Sequence, residues 1–87
     1  AAYPNPFNPT TTVRFQQKVT GPVDLAVYDA SGKMIRTLVA GETFGTGGHE
    51  VDWNGRDQQG RTRASGVYFV RLKTAGQTRV LPITLLK

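Results

Sequence analysis

One stretch limits what this chain can become more than any other. It is Val51-Asp52-Trp53-Asn54-Gly55-Arg56-Asp57-Gln58-Gln59-Gly60, followed shortly by Ser65-Gly66-Val67-Tyr68-Phe69-Val70. Val51 and Trp53 fall on one side of an extended backbone and Glu50 and Asp52 on the other, the period-two pattern of a half-buried strand. Asn54-Gly55 ends that strand, because both residues reach φ > 0 at little cost and Asn can bond its own backbone. Asp57-Gln58-Gln59-Gly60 makes a second polar turn. The apolar and aromatic run after Gly66 is too short to span a membrane and reads as a central strand covered on both faces. Trp53 is the single tryptophan. Opposite a Tyr- and Phe-rich neighbour, it is placed to nucleate a small sandwich core.

The other segments read as further strands separated by turns. Ala1–Pro9 carries Pro4, Pro6 and Pro9; proline has no N–H to donate and drives the residue before it into extended conformations. This is an extended lead over residues 1–10 that cannot occupy a central strand, with Tyr3 and Phe7 tucked against the end of the sandwich. Thr11–Gln17 is the first full strand, Val13 and Phe15 inward, Arg14 and Gln16 outward. Thr20-Gly21-Pro22 turns the chain into Val23–Asp29, where Val23, Leu25 and Val27 share one face and Asp24, Ala26 and Tyr28 the other. Asp29-Ala30-Ser31-Gly32 is a hairpin signal. Lys33–Val39 returns with Ile35 and either Met34 or Leu38 in the core, and its broken alternation requires a bulge or bend.

Ala40–Gly48 holds Gly41, Gly45, Gly47 and Gly48 and reads as a flexible connection carrying Phe44. His49–Trp53 is the Trp strand, Arg61–Ala64 a short bridging strand and Gly66–Thr74 the long central one. Ala75-Gly76-Gln77 turns the chain into the last strand, Thr78–Lys87, where Pro82 demands an edge or a bulge. Six or seven strands at roughly eight- to twelve-residue spacing describe an all-β chain. The expected fold is an Ig-like or fibronectin type III-like β-sandwich of about seven antiparallel strands, in one domain over residues 1–87 without internal repeats.

Composition agrees with that class. A chain of 87 residues buries only roughly 60–65% of its unfolded surface, enough for about a dozen core side chains. Ten Gly, five Pro and abundant β-branched residues favour strands over helices. Cysteine is absent, which excludes a disulfide framework and a thiolate metal site. No signal peptide or transmembrane segment is legible; the expectation is an intracellular chain or, better supported, a mature or excised piece of a longer one. A net charge of +5 raises nucleic acid as a partner. The basic residues, however, are dispersed and alternation sends most of them to solvent faces, so neither nucleic-acid binding nor membrane insertion is expected.

Catalytic constellations are poor. His49 is in phase with Val51 and Trp53, which places it at the core margin rather than in a reacting centre. With one His and no Cys, zinc chemistry is nearly excluded, and a Ser-His-Asp unit would have to recruit that His. Asp52, Asn54 and Asp57 loosely have the spacing of a calcium loop but lack the Gly and bidentate Glu of an EF-hand; their expected role is to satisfy backbone amides in tight turns. Gly45-Thr46-Gly47-Gly48 has neither the Lys-Ser/Thr nor the helix of a phosphate loop. Asn8-Pro9-Thr10 has Pro in the position that glycosylation forbids. Tyr28, Tyr68 and Phe69 could line a carbohydrate strip, but core or cross-strand packing is the commoner use of such residues. Tyr68 can also bond a corner backbone, as a Tyr does in Ig-type folds. No enzymatic activity and no cofactor are expected.

Several motifs occur in a fixed order: Tyr3-Pro4-Asn5-Pro6-Phe7-Asn8-Pro9-Thr10-Thr11, Val27-Tyr28-Asp29-Ala30-Ser31-Gly32-Lys33, Trp53-Asn54-Gly55-Arg56-Asp57 with Gly60, Ser65-Gly66-Val67-Tyr68-Phe69, and the terminal Leu85-Leu86-Lys87. With this order and spacing the whole chain resembles the C-terminal sorting domain (type A) of the bacterial type IX secretion system. It is also similar to a close relative of that domain, the Ig-like domain of the flagellar hook-capping protein. The resemblance implies a seven-stranded β-sandwich at the end of large secreted enzymes and adhesins. It further implies passage through the periplasm, recognition by outer-membrane secretion machinery, a secreted or cell-surface location, and removal by a sortase-like peptidase.

The recognition and structural residues implied are Pro4, Asn5, Pro6, Phe7, Trp53, Gly55, Asp57, Gly66, Tyr68 and Lys87. Sorting signals would map onto Pro4–Phe7, Ser65–Tyr68 and Arg79–Lys87. Asn54 departs from the Asp that usually follows the Trp. Two readings from other classes stand beside this one. The first is an extracellular structural subunit that self-associates into a filament through edge strands. The second is a carbohydrate-binding accessory module.

Overall fold

Two antiparallel sheets face one another in the computed structural model, which describes residues 2–4 and 10–86. In chain order the strands are β1 (Ala2–Tyr3), β2 (Thr11–Gln17), β3 (Gly21–Asp29), β4 (Met34–Phe44), β5 (Gly47–Trp53), β6 (Gly66–Thr74) and β7 (Gln77–Leu85). The smaller sheet has the order β1-β2-β5 and the larger one β4-β3-β6-β7. Every pairing is antiparallel, and the described residues contain no helix. This is the Ig-like sandwich that strand number and spacing led one to expect.

Alternation fills the space between the sheets. In β2, Thr11, Val13, Phe15 and Gln17 are buried while Arg14 and Gln16 face solvent; in β3, Val23, Leu25 and Val27 are fully buried. Trp53 from β5 meets them with Ile35, Val39, Tyr68, Val70, Ile83 and Leu85. Each fully buried aliphatic side chain contributes about 1.5–3 kcal/mol. The β3–β4 hairpin is closed by Asp29, whose Oδ1 accepts from Ser31 Oγ (2.6 Å), Ser31 N (2.9 Å) and Lys33 N (3.0 Å). Gly32 supplies the left-handed backbone that the turn needs, at φ 89°. The Ser31 hydroxyl first, then the Lys33 amide, hold the Asp29 carboxyl below its ordinary range.

Several expectations are corrected. β4 does not stop at Val39, and Ala40–Gly48 is not a flexible connection: the strand stays paired with β3 to the end, Val23 opposite Glu42, Pro22 opposite Thr43 and Gly21 opposite Phe44. Three register shifts along this pair absorb the broken alternation as bulges. They put Val39 in the core, leave Leu38 at its margin and expose Met34. Gly21 and Pro22 lie inside β3 rather than in a turn, at a place where β6 has already ended and, among the described residues, β4 is the one paired neighbour.

β6 is central but covered on one face. Tyr68 and Val70 are buried, whereas Val67 is exposed and Phe69 half-exposed, because a two-layer sandwich has nothing to place over the outer side. Arg61–Ala64 forms no strand; Thr62 alone bridges to Arg56. The last strand spans Gln77–Leu85, and it is an edge, as Pro82 requires. Tyr3 is exposed rather than tucked in, while Ala2 touches the core. Phe7 lies outside the described residues.

Candidate functional site

The loop from Trp53 to Ala64 is the most heavily bonded non-strand segment, and its anchor is the Trp itself. The Trp53 ring is 0% exposed and meets Tyr68 edge-on, with centroids 5.4 Å apart and planes at 69°. Its Nε1–H donates to Arg56 O at 2.9 Å, which folds the loop back onto the strand end. Asn54 Oδ1 accepts from Arg56 N (3.1 Å), the Asx turn its side chain favours, and from Arg36 Nη1 of β4 (3.4 Å). Gly55 sits at φ 76°, and its carbonyl accepts from Arg63 N at 3.1 Å.

Asp57 organises the next turn from a buried position. Its Oδ1 accepts from Gln59 N and Arg61 N, both at 3.0 Å. Its own N–H donates to Arg61 O at 2.8 Å, and its carbonyl accepts from Gly60 N at 2.9 Å. Oδ2 faces Arg61 Nε at 3.4 Å and Arg63 Nη1 at 3.9 Å. Burial pushes the carboxyl up, but the two backbone donors and two guanidinium groups outweigh it and leave it below its ordinary range. The carboxylate is thus engaged inside the loop, Oδ1 by two backbone donors and Oδ2 facing two guanidinium groups.

Gln58 then fastens the loop to the larger sheet. Its N–H donates to Ile35 O and its Oε1 accepts from Thr37 N, both at 3.0 Å, so the loop covers the outer edge of β4 over this stretch. On the return, Tyr68 OH donates to Ala64 O at 2.6 Å, the corner bond expected of that Tyr. Gly66 opens β6 at φ 153°.

Of the residues singled out from the sequence, the fold brings Trp53, Gly55, Asp57 and Tyr68 into one unit. Gly66 stands at its exit. Pro4 reaches the same end of the sandwich: its carbonyl accepts from Thr11 Oγ1 at 2.8 Å, and Thr11 is opposite Trp53 in the β2–β5 ladder. Asn5, Pro6, Phe7 and Lys87 lie outside the described residues. Asn54 and Asp57 satisfy turn amides as expected, but Asp52 does not. It accepts instead from Thr12 Oγ1 at 2.7 Å on the outer face of the smaller sheet, away from Asp57. Among the described residues no group of acidic, His or Cys side chains is arranged to hold a metal ion.

His49 stands at the core margin, between Phe15 (5.5 Å) and Phe44 (4.9 Å), with Nε2–H donating to Gly45 O at 2.7 Å. Tyr68 is too deeply buried to belong to an exposed aromatic strip. Tyr28 and Phe69 are register partners on the outer face of the larger sheet. Sequence reasoning missed Gln58, Arg36 and Arg63; a Gln or Arg in a polar turn carries no mark of the distant strand or carboxylate it will meet.

The two-sheet fold that carries this loop is that of a known module. The model of the FlgD Ig-like domain matches residues 4–78. The chain belongs to the FlgD Ig-like domain family. Three solved structures are similar in fold. A segment of dimeric latent PorU from Porphyromonas gingivalis superposes with a TM-score of 0.79 at 18% identity, covering 99% of this chain and 9% of that one. PorZ, an essential bacterial surface component of the type-IX secretion system of P. gingivalis, gives 0.67 at 19% identity, covering 100% and 11%. FlgD from P. aeruginosa gives 0.63 at 24% identity, covering 87% and 60%. This Ig-like domain therefore spans less than two thirds of each of those chains. A search of curated protein sequences gives no match. The family match ends just inside β7, whereas the likeness to PorU and PorZ takes in that strand as well.

Proposed function

We propose that this Ig-like domain is a non-catalytic sorting module, read as a folded surface by outer-membrane type IX secretion machinery on behalf of a passenger joined to it. Its place of work is then the cell surface or the medium, reached through the periplasm. The observation that carries this reading is the likeness over essentially the whole chain, β7 included, to segments of PorU and of PorZ, the latter a surface component of that system. The loop geometry supports it. A turn clamped by Trp53, Asp57, Gln58 and Tyr68 presents a fixed shape rather than a flexible peptide. A non-catalytic role is in keeping with His49, held by Gly45 O and two aromatic rings, and with Asp57, engaged by its own turn.

The test is a fusion of the domain to a reporter in a bacterium that has this secretion system. The intact fusion should reach the medium. Removing residues 81–87 takes Ile83 and Leu85 out of the core and should strand the reporter in the periplasm; export of the truncated fusion at the intact level would overturn the proposal. The family match and the likeness to FlgD favour a second reading, a structural Ig-like module of an extracellular appendage. Oligomers of the isolated chain on size-exclusion chromatography would favour that one.

A further inference from the structure

At Asn54 the chain is placed to change its own covalent structure. An asparagine loses its amide when the backbone nitrogen of the next residue attacks the side-chain carbonyl carbon and closes a five-membered imide. That nitrogen must have a proton to lose, and a side chain on the following residue crowds the ring. The chain has three asparagines, Asn5, Asn8 and Asn54. The first two precede Pro6 and Pro9, whose nitrogens carry no hydrogen. Asn54 alone is followed by a residue with an N–H, and that residue is Gly55, which has no Cβ to obstruct closure.

The fold also arranges the atoms that would react. Asn54 Oδ1, the oxygen that takes up negative charge as the ring closes, accepts from Arg56 N at 3.1 Å and from Arg36 Nη1 at 3.4 Å. A main-chain amide and a guanidinium on one carbonyl oxygen are the donor set of an oxyanion hole, and such donors act more strongly on the charged intermediate than on the ground state. Asn54 is exposed, and its Nδ2, which has to leave, donates to no acceptor among the described residues. The attacking Gly55 N–H likewise has no acceptor among them. The Arg36 cation favours the amide anion from which attack occurs. Gly55 is buried, so solvent base reaches its proton slowly, and the change belongs to the ageing of the protein rather than to a rapid cycle.

We propose that Asn54 is a site of spontaneous deamidation, promoted by the loop that holds it. Gly55 N gives its proton to solvent base and bonds to Asn54 Cγ, while Arg56 N and Arg36 Nη1 hold the oxyanion at Oδ1. The Cγ–Nδ2 bond then breaks, Nδ2 takes a proton from water, and ammonia leaves. Water opens the imide in one of two ways. Attack on Cγ restores the main chain and leaves aspartate; attack on the Asn54 main-chain carbonyl leaves isoaspartate, with the chain routed through Cβ and Cγ. The aspartate keeps an acceptor for Arg56 N and gains an ion pair with Arg36. The isoaspartate lengthens the main chain inside the segment closed by the bond from Trp53 Nε1 to Arg56 O. That bond, and the cover that Gln58 gives to β4, are then loosened. Either product lowers the net charge of +5 by one. Neither passenger nor secretion machinery enters this chemistry, so it stands apart from the sorting reading.

The test ages the isotope-labelled chain in mildly alkaline buffer and follows intact mass, ion-exchange elution and side-chain amide resonances. The mass should rise by a single unit, and peptide mapping should place the change at Asn54, in part as isoaspartate. The Nδ2 resonances of Asn54 should fade while those of Asn5 and Asn8 persist. Arg36→Met removes one donor and leaves Arg56 N in place. It should slow the loss about tenfold, less than the effect of an enzyme's oxyanion donor because the bond is 3.4 Å long. Arg36 Nε is buried without a partner, so among the described residues the variant forfeits no further side-chain bond, and its circular dichroism should be unchanged. In urea, where the loop is open, the two chains should age at one rate. Asn54→Asp should gain no mass and should elute with the aspartate product. No mass gain at Asn54, a gain confined to Gln59 before Gly60, or equal rates for the folded chain and folded Arg36→Met would each overturn the proposal.

Discussion

Replacing Trp53 separates what the indole does as a filler from what it does as a donor. The ring is 0% exposed, and Nε1–H reaches Arg56 O at 2.9 Å. Trp53→Phe leaves a hole of about 40 Å³, which at about 24 cal/mol per Å³ costs ~1 kcal/mol beyond the lost transfer energy. The missing hydrogen bond adds about 0.5–1.5 kcal/mol, for a total of about 2–3 kcal/mol. Trp53→Ala should cost about 3–5 kcal/mol, because the edge contact with Tyr68, itself worth about 0.5–1.5 kcal/mol, goes too. That is a large part of the 5–15 kcal/mol or so that holds an ordinary domain together. Urea unfolding followed by far-ultraviolet circular dichroism is the assay, since the variants lose the only indole, and equal m-values validate the comparison. A change below about 1 kcal/mol for Trp53→Ala would refute burial of the ring. In Trp53→Phe, amide exchange at Gln58 should accelerate, because the loop that carries it is no longer tied at Arg56. Unchanged exchange there would refute the donor role.

Three further outcomes follow from the same geometry. Tyr68→Phe deletes only the hydroxyl bonded to Ala64 O and should cost about 1 kcal/mol in urea unfolding; no loss would mean water replaces the bond fully. Gln58→Ala removes the side-chain acceptor for Thr37 N and should cost about 0.5–1.5 kcal/mol. It should also give concentration-dependent association on size-exclusion chromatography as the β4 edge is uncovered. Asp29 and Asp57 both have folded values below the ordinary 3.8, so their stabilisation is complete above that value and is lost as the pH falls through the lower folded ones. The urea midpoint should therefore hold from neutrality to about pH 5 and drop below about pH 4, and a midpoint that rises on acidification would contradict the bonding described for both carboxylates.

What could be read from the sequence was local. Thr11–Gln17 and Gly66–Thr74 have their bounds in the chain itself, alternation on one side and Gly or polar residues on the other, and the strands fall there. β4 could not be read in the same way. Its path past Val39 is decided by pairing with Gly21–Val23, and its bulges scramble the alternation that would have betrayed it. The run Val67–Val70 looks buried on both faces because four apolar residues in a row carry no phase. Only the two-layer architecture shows that Val67 and Phe69 are left outside. The site divides likewise. Trp53, Gly55, Asp57 and Tyr68 each carry a turn or aromatic signature, whereas Gln58 acts through Ile35 and Thr37, more than twenty positions away, and has no signature of its own.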